Sequence, residues 1–422
     1  MRAALAGLTT RGRSFLAAGI AASLCGLVLG ERDLLRVGVL LLALPLVAAG
    51  MVARARYRLA CSRRIEPPRV PVGEPARVVL RIENLSRLRS SVLLAEDRLP
   101  YALGGRPRFV LGRIEPHGVR EMAYPVRADV RGRYTVGPLA LRFVDVFGLV
   151  ETVRTFRSTS TLVVTPRVYP LTPLAAGAGR AGSTEGEARS LATSGEDDVT
   201  PREYRHGDDL RRVHWRLTAR HGELMVRREE QPWHRRAVLL LDRRATAHRG
   251  EGVASSLEWA VTAVASVGVR LARDNFRLRL VDSDGAPLLG VTPSLSTEAE
   301  LLEVLAALAP APGADFRGAA SAIRGSNAGL LVAVLGALSM PDVEVLADLQ
   351  RHASRCLAIV LDVDRWNPLN TPRTPGLPAS RTAALLAASG WRVAVADGRT
   401  RVPGVWQQLV AVGLAGAPVT VP

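Results

Sequence analysis

Between residues 202 and 236 four histidines, His206, His214, His221 and His234, stand among Glu203, Asp208, Asp209, Glu223, Glu229 and Glu230. Imidazoles and carboxylates together are the raw material of zinc sites and of acid–base catalysis. The spacing fits neither use. The histidines follow no usual zinc pattern, and no Gly-x-Ser-x-Gly elbow, or Ser or Cys with an evident base, supplies a nucleophile. A second set of carboxylates is more regular. Asp242, Asp282, Asp362 and Asp397 each close an apolar run of the kind that forms a buried strand. In an open α/β sheet the site lies outside the carboxyl ends of the strands. These four aspartates therefore belong at the functional edge.

Composition removes several chemistries. The chain has 422 residues and a formal net charge of +17, yet it contains no lysine, so all 56 basic residues are arginine. A Walker A loop needs its lysine on the phosphates, and Schiff-base or pyridoxal-phosphate mechanisms need a lysine amine. Such one-sided arginine usage reads as a compositional excess spread over the chain. Acids and bases nearly balance across residues 196–236, so no nucleic-acid groove is expected there. Cys25, Cys61 and Cys356 are far apart and form neither a metal spacing nor a disulfide framework. Buried reduced thiols are expected. No cofactor is implied.

The segment from Arg202 to Glu230 carries a denser pattern. Gly207 gives a turn, Asp208 an N-cap, and Leu210, Val213 and Leu217 one helical face. A short helix from Asp209 to about Arg220 follows, with Gly222 as its C′ residue. Arg212, Arg216 and Arg220 line another face and need acidic partners. The order Tyr204-Arg205-x-Gly207-Asp208-Asp209-Leu210-Arg211-x-Val213-x-Trp215-x-x-x-Ala219-Arg220 resembles the signature of the bacterial family catalogued as Domain of Unknown Function 58. Residues 131–138 (RGRYTVGP) and 145–149 (DVFGL) resemble the strand-turn signature that precedes it, where the family more often has Pro at the place of Val146. Both read as structural: Gly132 and Gly148 permit turns, and Phe147 and Leu149 supply core contacts. No activity is established for that family. Its members are often encoded beside MoxR-type AAA+ ATPases and transglutaminase-like membrane proteins, which implies a partner role. The signature can be a docking face built on Tyr204, Arg205, Gly207, Asp208, Asp209, Arg212, Trp215, Arg216 and Arg220, or an ion-pair and turn network that only holds structure.

After Arg236 strands alternate with helices, which gives a doubly wound parallel sheet. This part resembles a von Willebrand factor A domain, a fold that holds Mg²⁺ through oxygen ligands. The resemblance implies ligands at Asp242, Arg244, Thr246, Ala314 and Gly336. Three of these five positions have lost the expected oxygen donor. Arg244 brings a cation where a cation would sit and is placed to pair with Asp242. Thr246 can replace a serine. No metal is expected.

The remaining elements are those that position these parts. Apolar runs from Phe15 to Gly30 and from Val37 to Val52, joined by ERDLLR, read as an antiparallel transmembrane hairpin over residues 1–58. Arg2, Arg11 and Arg13 on one side, and Arg54, Arg56, Arg58, Arg63 and Arg64 on the other, place both ends in the cytoplasm. Residues 61–168 read as an immunoglobulin-like β-sandwich of about seven strands. Pro67, Pro68, Pro71 and Pro75 guard an edge at its entry. Residues 170–200 read as a flexible linker or loop, 201–236 as the signature and 237–415 as the α/β domain. The expectation is a non-enzymatic, membrane-anchored adaptor or scaffold on the cytoplasmic face, docking a MoxR-type ATPase or an envelope-assembly partner. The alternatives are a hydrolase using the Asp/His-rich motif and an arginine-mediated binder of anionic lipid.

Overall fold

The computed structural model describes residues 7–54, 59–87, 89–90, 92–144, 147–174, 201–203, 218–219, 222–223, 225–227, 236–290, 294–313, 315–326, 328–366 and 376–411. The chain divides into two compact units, residues 1–167 with 302–308, and residues 168–301 with 309–422.

The first unit opens with two helices, α1 (Thr10–Leu29) and α2 (Arg32–Arg54). Thr9 caps α1 by accepting from the Gly12 N–H, and Gly30 ends it with a φ of 70°, a left-handed turn that suits glycine. Both contain a span long and apolar enough to cross a membrane, with mean hydropathies of 1.6 for Thr10–Leu29 and 1.9 for Arg32–Gly50. They pack through small residues. Gly12, Gly19 and Gly26 fall on one buried face at seven-residue intervals. A Cβ added at Gly19 would lie 2.8 Å from Leu42 Cγ, and one at Gly38 would lie 2.3 Å from Ser23 Oγ. Close approach of backbones through small residues is the usual packing device of helices in lipid.

Ten strands follow: β1 (Leu59–Glu66), β2 (Arg69–Pro71), β3 (Pro75–Asn84), β4 (Leu93–Asp97), β5 (Arg108–Leu111), β6 (Val119–Arg127), β7 (Gly132–Val136), β8 (Leu139–Val144), β9 (Glu151–Phe156) and β10 (Ser160–Thr165). They form three sheets of order β1-β3-β6, β2-β10-β7 and β5-β4-β8-β9. The strict alternation of β3 sends Val78, Leu80 and Ile82 into a common core with Leu93, Leu139, Leu141 and Leu162. Among the described residues ten strands stand where about seven were expected. Strands β1, β2 and β5 escaped notice because arginine and proline interrupt their apolar pattern. Pro71 sits on an edge strand and Pro75 opens β3, places where a missing N–H is tolerated. Inside this core Asp97 receives the Arg63 guanidinium (Nε 3.2 Å, Nη2 2.5 Å) and the Tyr124 hydroxyl (2.5 Å). Gly137, at φ 105°, lies against that guanidinium, where a Cβ would come 2.5 Å from Nη1. The second glycine of the RGRYTVGP segment, Gly137, is thus needed twice, for its backbone and for its bareness.

The second unit contains β11 (Pro201–Glu203) paired with β12 (Met225–Arg227), then a six-stranded sheet. The order of elements is β13 (Arg236–Leu241), α3 (Ser256–Arg273), β14 (Arg277–Asp282), β15 (Pro287–Leu289), α4 (Ser294–Ala307), α5 (Arg317–Arg324), β16 (Ala328–Leu335), α6 (Met340–Leu349), β17 (Ala353–Leu361), α7 (Ala379–Ala388), β18 (Arg392–Ala396) and α8 (Val402–Ala411). The last residues of α4 group with the first unit. Sheet order is β15-β14-β13-β16-β17-β18. All pairs are parallel except β14–β15, so the sheet is mixed and not wholly parallel. Gly285, with φ 84°, turns the chain back into a short antiparallel edge strand whose three residues were too few to read. The central strands are buried on both faces, as their unbroken apolar runs require.

Of the three free cysteines only Cys356 is buried. Cys61 is intermediate, and Cys25 is exposed on α1, contrary to the expectation of burial.

Candidate functional site

Strand order reverses between β13 and β16, which makes the crevice outside their carboxyl ends the place where such sheets present a site. Asp242 follows β13 there and is fully buried. Its Oδ1 accepts from the Arg244 backbone N–H at 3.1 Å and from Arg244 Nε at 2.9 Å. Its Oδ2 accepts from Arg244 Nη2 at 2.9 Å and from the Gly336 N–H at 3.2 Å. Arg244, 4% exposed, thus forks onto Asp242 in the bidentate geometry its planar head favours. The guanidinium also donates to Asp342 Oδ2 (3.1 Å) and to the Ala337 carbonyl (3.1 Å), and it stacks 4.5 Å from the Phe316 ring centroid. Its two carboxylate partners hold its pKa above the ordinary arginine value against the opposing effect of burial.

The surrounding loops lock this arrangement. Asp342 Oδ2 also accepts from Ser339 N (2.9 Å) and Oγ (2.7 Å) at the start of α6. His248 Nε2 meets the Asp242 carbonyl at 2.7 Å, and its Nδ1 meets Ser256 Oγ at 3.0 Å. A carbonyl can only accept, so Nε2 carries the proton and Nδ1 is free to accept from the serine. Burial lowers the His248 pKa, which agrees with this neutral ring.

The other edge carboxylates are likewise engaged. Asp282, fully buried, receives Arg243 Nε at 2.8 Å and Nη2 at 2.7 Å, and the Ala286 N–H at 2.8 Å. Asp362 pairs with Arg365 at 3.3 Å. Asp397 accepts from Thr400 Oγ1 at 2.7 Å and from the N–H groups of Arg399 and Thr400, and the Thr400 bond leads in lowering its pKa. A pocket beside Asp362, lined also by Gly336, Ala337 and Thr382, measures about 10 Å³, room for about one water. Among the described residues no group of three or more His, Cys, Asp or Glu gathers at metal-binding distance.

Each sequence-predicted position has a clear fate or falls outside the described chain. Asp242, Arg244 and Gly336 come together. Thr246 does not join them: it is exposed in the short turn Ala245–Ala247, while Arg244 takes the buried place. Gly336 cannot carry an aspartate in this loop, because a Cβ would lie 2.3 Å from the Ala247 carbonyl oxygen. Ala314 lies outside the described residues. So do Tyr204, Arg205, Gly207, Asp208, Asp209, Arg212, Trp215, Arg216 and Arg220, and the four histidines first singled out; of the helix expected from Asp209 to about Arg220 only Thr218 and Ala219 are described, and both are helical. Gly222 is described: its φ is 75° and its N–H bonds the Thr218 carbonyl at 2.9 Å, the geometry of a C′ glycine. Sequence reasoning missed Asp342, Phe316, Arg243 and His248. Only Asp342 carried a signal, as the N3 acid of a Ser-x-x-Asp helix start.

Residues 200–366 match the model of a family described as "Protein of unknown function DUF58", under half of the 422-residue chain. No curated protein matches. Among solved structures, the CARDB domain of a Pyrococcus furiosus protein is 15% identical over 26% of this chain and 93% of its own, with a TM-score of 0.19. The ASH/PapD-like domain of human CEP192 is 12% identical over 25% of this chain and 86% of its own, with a TM-score of 0.17. Likeness at that level carries nothing about fold or function.

Proposed function

We propose that this chain is a membrane-anchored, non-enzymatic scaffold. The α1–α2 hairpin spans the cell membrane with both ends cytoplasmic. An immunoglobulin-like β-sandwich and a von Willebrand factor A-like domain then face the cytoplasm. The signature segment around Asp208 and Arg212 docks a partner, in this reading a MoxR-type AAA+ ATPase acting with a transglutaminase-like membrane protein.

The observation that carries this reading is the Asp242–Arg244–Asp342 cluster. A guanidinium fixed between two buried carboxylates occupies the edge where a cation or a catalytic acid would work. The carboxylates of the edge are spent on local arginines, amides and hydroxyls, which fits a structural clasp better than turnover. The order of the six strands, with one antiparallel edge strand beside five parallel ones, supports the von Willebrand-like reading.

Purification of the full chain from membranes, compared with an Asp208→Ala/Arg212→Ala variant, tests the docking. Loss of one specific ATPase partner from a variant that still folds supports it, and unchanged recovery of partners refutes it. Titration of the full chain with Mn²⁺ in detergent tests the clasp. No saturable binding is expected, and binding that Asp242→Ala abolishes would overturn the reading.

A further inference from the structure

The Phe147–Leu149 turn belongs with the hairpin. The Thr9 N–H donates to the Leu149 carbonyl at 3.0 Å, Thr9 Oγ1 donates to the Gly148 carbonyl at 2.7 Å, and the Glu151 N–H donates to the Gly7 carbonyl at 2.7 Å. Leu8 and Val150 form an antiparallel bridge. Leu149 and Val150 pack in one cluster with Ala48 and Ala49 of α2, flanked by Phe15 and Leu44. Gly12 is pressed so close that a Cβ there would lie 2.3 Å from the Leu149 oxygen.

These contacts fix the depth of the turn. Ala48 precedes Arg54, the last residue of α2, by six positions, which at about 1.5 Å per residue is about 9 Å along the helix. Each headgroup layer is about 5–7 Å thick beside a hydrocarbon core of about 30 Å. With Arg54 at the aqueous side, Ala48 and the turn packed on it reach the boundary of the hydrocarbon. Arg11 points the same way: its guanidinium lies beside Gly148, a Cβ there being 3.9 Å from Nη1. An arginine in the first turn of a membrane helix sits at the level of the lipid phosphates.

The same end of the β domain carries a rim of exposed apolar side chains. Phe147 is 55% exposed, where a core contact was expected. Val92 adjoins Leu93, which pairs with Phe143 at the turn end of β8. Leu85 follows Asn84, whose side-chain amide bonds the Ile114 carbonyl, and the Ser90 N–H bonds that same carbonyl three residues before β4. Val119 pairs with Glu83 beside it. All three are exposed. Tyr101, 99% exposed, stands beyond Asp97, which pairs with Leu139 at the other end of β8. Exposed apolar groups gathered around an anchored turn mark a surface meant to leave water.

We propose that the hairpin-side end of the β domain is immersed in the headgroup layer, with the Phe147–Leu149 turn deepest and lipid covering Leu85, Val92, Val119 and Phe147. This rests on the reading that the hairpin spans the membrane. The test places the photocrosslinking residue p-benzoylphenylalanine at Phe147, at Val92 and, as control, at Tyr101. The full chain is reconstituted in vesicles of phosphatidylcholine and phosphatidylglycerol, irradiated, and analysed by intact mass for lipid adducts. Adducts several-fold more abundant at 147 and 92 than at 101 are expected. A chain that survives carbonate washing with the vesicles, yet shows no excess adduct at either position, overturns the immersion and leaves the anchor standing. A chain that carbonate strips from the vesicles overturns both.

Discussion

At the residue scale the decisive object is one guanidinium between two buried carboxylates. Breaking a buried ion pair from one side leaves charge without compensation and costs about 3–5 kcal/mol. Arg244→Met is therefore expected to destabilise the full chain by about that amount, because Asp242 and Asp342 would be left facing each other in a buried site. Adding Asp242→Asn should recover part of the loss. Urea unfolding in mild detergent, followed by tryptophan fluorescence, measures both, and an unchanged midpoint for Arg244→Met would show that the clasp carries no stability. Half of this object was legible in the sequence. Asp242 and Arg244 are two residues apart at the end of an obvious strand, so their pairing follows from local geometry. Asp342 lies 98 positions beyond Arg244 in the chain, and only the parallel pairing of β13 with β16 brings α6 to it. A second prediction concerns Cys356. Burial pushes its thiol from 9.0 up to about 12. Between those values the unfolded chain sheds a proton that the folded chain keeps, so this contribution to stability is full below pH 9 and is lost as pH rises toward 12. Cys356→Ala should flatten the alkaline limb of the stability profile, and an identical slope in both proteins would refute the assignment.

At the element scale the hairpin depends on what its glycines leave out. Gly19 and Gly26 face Leu42 and Leu35, and Gly38 faces Ser23, so each carries a near contact between the two backbones. Overpacking a fitted interface costs about 1–3 kcal/mol. Gly19→Ile should lower the unfolding midpoint of the detergent-solubilised chain, Gly19→Ala should lower it less, and Ile20→Leu, on the exposed face, should not change it. An equal response to all three would mean that the helices do not pack through this seam. The hairpin itself was readable from two apolar runs and a six-residue connection, whereas the seam was not, because α1 is apolar on every side and its glycines stand out only by their seven-residue spacing. The strands divide in the same way. Alternating segments such as β3 and continuous runs such as β13 announce themselves. Strand β1 hides because Arg63 is spent on the buried Asp97, a use of charge that hydropathy counts as exposure.

At the scale of the whole molecule, two descriptions have to agree: where charge lies along the chain and which helices can enter lipid. Among the described residues two helices qualify for crossing, joined by a connection in which Glu31 and Asp33 offset Arg32 and Arg36. Arginines crowd the other two ends of that pair. The bonds between Thr9 and the Gly148–Leu149 turn tie the β domain to the arginine-rich end of α1. In the proposed orientation the β domain lies on the side that positive charge selects, because two crossings return the chain there. A reporter fused after Pro422 should accordingly be active when it requires the cytoplasm, as a fluorescent protein does, and inactive when it requires export, as alkaline phosphatase does. A tag inserted between Glu31 and Arg36 should show the opposite accessibility in intact cells. Replacing Arg11 and Arg13 with glutamine while adding arginines to that connection shifts the bias toward the reverse orientation. If the orientation follows the arginines, the two reporters should exchange activities. If it holds against the altered charge, then docking of the β domain on the hairpin, and not charge placement, fixes which way the chain faces.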